Sequence, residues 1–212
     1  MAITDAVIVD VWSDYVCPFC YLQAPILERL GREQAGGLEI RWRAFELRPD
    51  PVPTLDPAGD YLKTTWARSV YPMAAQRGML LRLPPVQPRS RRAFEAVEHA
   101  RSNGRFGEMH RALFRAFFEH GQDIGDTDVL AEIGRGIGLD AAELRDDLER
   151  GIHIQQVLDD EQTAQSLGIG GVPMMVVRPS GATLREGMGI SGAQPYEAVA
   201  RAVAQVAGSS LP

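Results

Sequence analysis

The chain has two cysteines in 212 residues, no long apolar run and no excess of positive charge. Two cysteines cannot build the multi-bridge framework of a small secreted domain. The 22 Lys and Arg against 28 Asp and Glu give a net charge of −6, which leaves no basic footprint for nucleic acid. Nothing approaches the ~18 consecutive apolar residues of a membrane span. The opening "MAITDAVIVDVWSD" has no basic segment, and its apolar run Ala6–Val9 is too short for an export signal. The expectation is a cytoplasmic protein with no nucleic-acid or membrane partner, in a compartment where thiols stay reduced. Apolar residues at 45% and charged residues at 24% are ordinary for a globular chain. Its length suits one large domain, or a core with a sizeable insertion.

Within those bounds the pattern changes along the chain. "AVIVDVW" (6–12) is a short Val/Ile-rich run with the look of a buried strand. "YLQAPILERLGREQAGG" (21–37) is an amphipathic helix with Leu22, Ile26, Leu27 and Leu30 on one face, ended by Gly36-Gly37. "LEIRWRAFEL" (38–47) reads as a second strand, so the three make a right-handed βαβ unit with parallel strands. After a Pro/Asp-rich stretch, about 49–57, the spacing predicts helices near 58–77, 89–102, 105–119, 127–137, 141–150 and 153–167. Phe106, Met109, Leu113 and Phe117 form a core-facing stripe, and Asp140 with Glu143 resembles a capping box. "VPMMVVR" (172–178) and "ATLREG" (182–187) predict a hairpin around Pro179–Gly181. A last amphipathic helix occupies 193–207. The fold class is therefore α/β: βαβ, a large all-helical insertion, then αββα. The domain boundaries expected are 1–52 with 166–212 for the discontinuous core, and 53–165 for the helical insertion.

Both cysteines lie in "VDVWSDYVCPFCYL" (9–22), three positions apart. With Cys17 at the loop–helix boundary, Pro18 takes the first helical position, where its missing N–H costs nothing. A thiol there meets the unpaired N–H groups and positive end of the helix, which favour the thiolate. Cys20 follows one turn later on the same helix and is placed to close a disulfide, so the geometry favours Cys17 attacking and Cys20 resolving. Asp14 reads as exposed, with a charge that opposes the thiolate. A structural zinc site needs four ligands, but there is no third cysteine, and His99, His110, His120 and His153 are spaced ten or more apart. No metal is expected. "GMGISG" (187–192) spells G-x-G-x-x-G outside a βαβ unit, so it reads as a bend rather than a dinucleotide loop.

Taken with "WRAFELRPD", "FFEHGQDIGDTDVLAEI", "LGIGGVPMMVV" and "SGAQPYEAV", the segment "SDYVCPFCYL" resembles the DsbA-like branch of the thioredoxin superfamily, most closely the FrnE-type oxidoreductases. The resemblance spans nearly the whole chain and implies a thioredoxin-like core interrupted by a helical domain. It implies a cis proline at Pro173 beside the cysteines, with the Val172 backbone offering strand-like hydrogen bonds to an extended substrate. It suggests Asp10, on the first strand, as the buried acid that takes the Cys20 proton, although Asp10 stands one residue further upstream than in thioredoxins. Phe19 replaces the His of strongly oxidising DsbA proteins and the Trp common in FrnE-type ones, which implies a milder oxidant. Phe19 and Tyr21 are expected to form an apolar rim that Met174 extends.

The implied activity is thiol–disulfide exchange with a protein or small-molecule substrate carrying a disulfide or dithiol. It needs no cofactor beyond the cysteine pair, admits glutathione as co-substrate, and fits a monomer or homodimer. Two alternatives share the fold: a glutathione-dependent enzyme of the 2-hydroxychromene-2-carboxylate isomerase or kappa-class transferase type, and a non-enzymatic peptide-binding chaperone. In the isomerases a serine generally replaces the leading cysteine, which argues against that chemistry here.

Overall fold

The computed structural model describes residues 6–34 and 36–208. Strand β1 (Val7–Ser13) leads into helix α1 (Pro18–Glu33), and β2 (Leu38–Ala44) pairs with β1 in parallel, as the βαβ reading requires. Strand β3 (Met174–Pro179) runs antiparallel on the other side of β1, and β4 (Met188–Ser191) closes the sheet in the order β2-β1-β3-β4. Helix α9 (Tyr196–Val206) follows.

Strand alternation divides the residues of β1 between two layers. Val7, Val9 and Val11 pack with Leu27 and Leu30 of α1 and with Val199 and Val203 of α9. Trp12 lies in a separate cluster with Val176 and with Ala164 of α8 (Ile154–Ser166). Every residue of β1 is buried, the Val/Ile/Trp positions in the apolar layers and Asp10 and Ser13 as buried polar groups.

Between β2 and β3 the described residues are helical or irregular. Helices α2 (Asp60–Thr65) and α3 (Tyr71–Gln76) are joined by a π-helical turn, Trp66–Val70. Next come α4 (Arg91–Ser102), α5 (Phe106–Phe118), α6 (Thr127–Gly136), α7 (Ala141–Arg150) and α8. Met109, Leu113 and Phe117 are fully buried, so the predicted stripe faces the core. Asp140 caps α7 by accepting from the N–H groups of Ala142 and Glu143.

The hairpin differs from expectation. Residues Leu184–Glu186 form a 3-10 turn capped by Thr183, and the second strand lies at Met188–Ser191, inside the segment read as a bend. Gly187 explains the shift: a Cβ there would meet Val176 Cγ1 at 2.4 Å, so its glycine lets β4 approach β3.

Candidate active site

Cys17 is the N-cap of α1, with extended backbone (φ −93°, ψ 113°), and Pro18 opens the first turn. Cys20 N–H donates to the Cys17 carbonyl at 3.1 Å, so the two cysteines share one turn. Both are free thiols. Cys17 lies beside the Val172 carbonyl (Sγ to O 3.6 Å), and the Val172–Pro173 bond is cis. The loop before β3 therefore stands over Cys17, 155 residues away in sequence.

Cys20 is fully buried and Cys17 nearly so. Burial first, and then the adjacent Cys17, push the Cys20 thiol well above its ordinary range. The Asp14 amide N–H, donating to Cys20 Sγ at 3.5 Å, and the Ser13 hydroxyl act the other way. A protonated, enclosed Cys20 is a poor first nucleophile and is suited to a second step inside the protein.

Asp14 corrects the reading of an exposed charge. It is fully buried, with Oδ1 accepting from Val16 N–H (3.2 Å) and Oδ2 from Leu47 N–H (2.7 Å). Desolvation raises its carboxyl to about 6, against the opposing pull of those amides and the Ser90 hydroxyl. Between pH 4 and 6 the folded protein keeps this proton while the unfolded chain releases it, so the group's stabilising contribution falls as pH rises through that window. Relative to wild type, Asp14→Asn is expected to gain about 2 kcal/mol between pH 4.5 and 7.5. Urea midpoints at both pH values check this; a pH-independent difference would mean that Asp14 is ionised throughout.

Asp10 is the buried acid expected on the first strand. It is fully buried, but its carboxylate lies between two guanidiniums, Arg43 Nε to Oδ1 at 2.8 Å and Arg178 Nε to Oδ2 at 2.8 Å. Arg43 also pairs with Asp160 of α8 at 2.8 Å. Asp10 thus ties β1, β2 and β3 together. Asp14 is the acid whose backbone touches Cys20, through its amide.

The cleft beside Cys17 has a volume of about 270 Å³. Phe19 and Val172 line it as expected, together with Leu55, Tyr61, Trp66 and Arg48 from segments that sequence reading did not connect to the site. Tyr21 and Met174 lie elsewhere. Tyr21 stacks on Phe114 and Phe118 and donates its hydroxyl to Glu119, so it belongs to the helical core. Met174 packs in the Trp12 cluster. The active-site loop is anchored from the same core by Tyr15, whose hydroxyl meets His110 Nδ1 at 2.9 Å. Burial lowers His110 to about 3, so this pair is neutral at physiological pH.

Residues 8–204 match the family described as DSBA-like thioredoxin domain. Protein YwbO of Bacillus subtilis, itself uncharacterised, is 38% identical over 144 residues, covering 66% of this chain and 71% of its own. The crystal structure of probable DsbA oxidoreductase SCO1869 from Streptomyces coelicolor superposes with a TM-score of 0.78 at 27% identity, covering 97% of this chain and 92% of that one. A 2-hydroxychromene-2-carboxylate isomerase shares the fold with a TM-score of 0.73 at 20% identity, covering 96% of this chain and all of that one. Among the described residues no helix is long and apolar enough to cross a membrane.

Proposed function

The chain belongs to the DSBA-like thioredoxin domain family, a family of enzymes, and from that membership we propose a thiol–disulfide oxidoreductase in which Cys17 attacks and Cys20 resolves. One observation carries the reading: Cys17 caps α1 at the mouth of the cleft, facing the cis Val172–Pro173 loop, with a buried thiol one turn behind it.

The Cys17 thiolate attacks one sulfur of a substrate disulfide. The substrate S–S bond breaks, its other sulfur leaves as a thiolate, and a mixed disulfide forms. Cys20 then loses its proton and attacks Cys17 Sγ. The second substrate sulfur leaves, the protein becomes the Cys17–Cys20 disulfide, and the substrate has gained two electrons. Run backwards, the same steps oxidise a dithiol. Phe19, Leu55, Tyr61 and Trp66 give the cleft apolar walls, and Arg48 adds a cation that suits a carboxylate-bearing thiol such as glutathione. The Val172 backbone is available to an extended peptide once Cys17 turns to substrate.

Equilibration in glutathione buffers tests this reading. A single two-electron transition is expected, with a midpoint more negative than the roughly −120 mV of DsbA. Cysteines that never pair across the whole buffer range would overturn the proposal. Phe19→His places an imidazole beside the thiolate and is expected to stabilise the reduced form, raising the midpoint by about 30–60 mV, one to two tenfold steps in the exchange constant. An unchanged midpoint would remove Phe19 from the determinants of redox poise.

A further inference from the structure

Away from the cleft, three helical elements bring two imidazoles and a carboxylate to one point. His99 projects from the last turn of α4, Asp147 from α7, and His153 caps α8. Asp147 Oδ2 lies 2.7 Å from His99 Nδ1 and 3.3 Å from His153 Nε2, and the three ligand atoms fall within 4.8 Å of one another. We propose that His99, Asp147 and His153 form a binding site for a divalent transition metal of the zinc type.

The donor set favours Zn²⁺, Co²⁺ or Ni²⁺ over Mg²⁺ or Ca²⁺, because two imidazole nitrogens and one oxygen make a borderline site rather than a hard one. Bonds of ~2.0–2.2 Å in tetrahedral array set neighbouring ligand atoms about 3.3 Å apart. The His153–Asp147 separation already has that value, and the His99 pair needs to open by about half an ångström. Three protein ligands leave a fourth position for water.

The site is held in place and still reachable. His99 is buried, whereas the side chains of His153 and Asp147 keep 11% and 19% exposure. Its ligands sit on or at the ends of packed helices, which fix side chains better than loops do. Asp147 Oδ2 faces both imidazoles, so a single carboxylate oxygen is placed to share an ion with them. Gly151, in the left-handed conformation (φ +63°), ends α7 and turns the chain so that His153 comes back toward Asp147.

The test uses the full chain with both thiols replaced, Cys17→Ser/Cys20→Ser, so that the cysteines contribute no ligands; disulfide-oxidised wild type serves as an independent check on folding. Titration with Zn²⁺ is expected to saturate at one equivalent, and Co²⁺ to give the visible absorption of a four- or five-coordinate ion. His153→Gln should weaken Zn²⁺ binding by more than the ~10–100-fold that loss of an outer-sphere partner costs. His120→Gln, outside the cluster, should leave it unchanged. Absence of stoichiometric uptake by both thiol-blocked forms, or uptake that survives His153→Gln intact, would overturn the proposal and leave a hydrogen-bonded clamp between α4, α7 and α8.

Discussion

Cys17→Ser is expected to bring disulfide exchange down to the uncatalysed background, a loss of about a thousandfold or more, as for removal of other catalytic nucleophiles. Insulin reduction with glutathione as electron donor reads it. The size of the loss follows from the placement of the two thiols. Cys17 borders the cleft, while Cys20 is fully buried and held protonated by its surroundings. Cys20 therefore has no access to a substrate sulfur and cannot take over. A serine hydroxyl suits the N-cap position but is far too weak an acid to attack sulfur at neutral pH. The variant should fold like the wild type, so the lost activity reports chemistry. Retention of rate by Cys17→Ser would mean that another group attacks.

Asp10→Ala is expected to cost about 3–5 kcal/mol, because it leaves the guanidiniums of Arg43 and Arg178 without their shared partner. Arg178 has a side-chain exposure of only 8% and cannot turn fully to water. Among the described residues its remaining hydrogen bond is to the Ala182 carbonyl at 2.7 Å, an acceptor that does not neutralise the charge. Arg43 keeps Asp160 and suffers less. Urea unfolding measures the loss. The exchange rate per folded molecule is expected to stay near wild type, since Asp10 is committed to these two arginines. A variant of unchanged stability but impaired exchange would restore Asp10 as the acid serving Cys20. Stability and rate thus separate an anchoring role from a catalytic one.

Much of this architecture was legible because it depends on local signals. The Val/Ile run of β1, the Cys-Pro-x-Cys junction and the apolar stripe of α1 specify strand, turn and helix within thirty residues. The stripe through Met109, Leu113 and Phe117 fixed the buried face of α5 in the same way. What escaped depends on partners distant in sequence. Asp14 looks like a loop acid until Leu47, 33 residues on, is seen to donate to it. Asp10 looks free for proton transfer until Arg43 and Arg178 close on it from β2 and β3. Tyr21 sits at the active-site end of α1, yet the stack with Phe114 and Phe118 turns it inward. Helical histidines ten or more apart carry no motif, and only the packing of α4 against α7 and α8 brings His99 and His153 to Asp147.

In the proposed cycle Cys17 forms the covalent bond to substrate and Cys20 breaks it. Cys20→Ser exposed to a disulfide substrate, quenched with acid, digested and mapped by mass spectrometry, tests it directly. The expected result is one equivalent of mixed disulfide, located on Cys17 and stable until an external thiol is added. A matching adduct on Cys20 when the Cys17→Ser variant is treated in the same way, or no adduct on Cys17, would contradict the account.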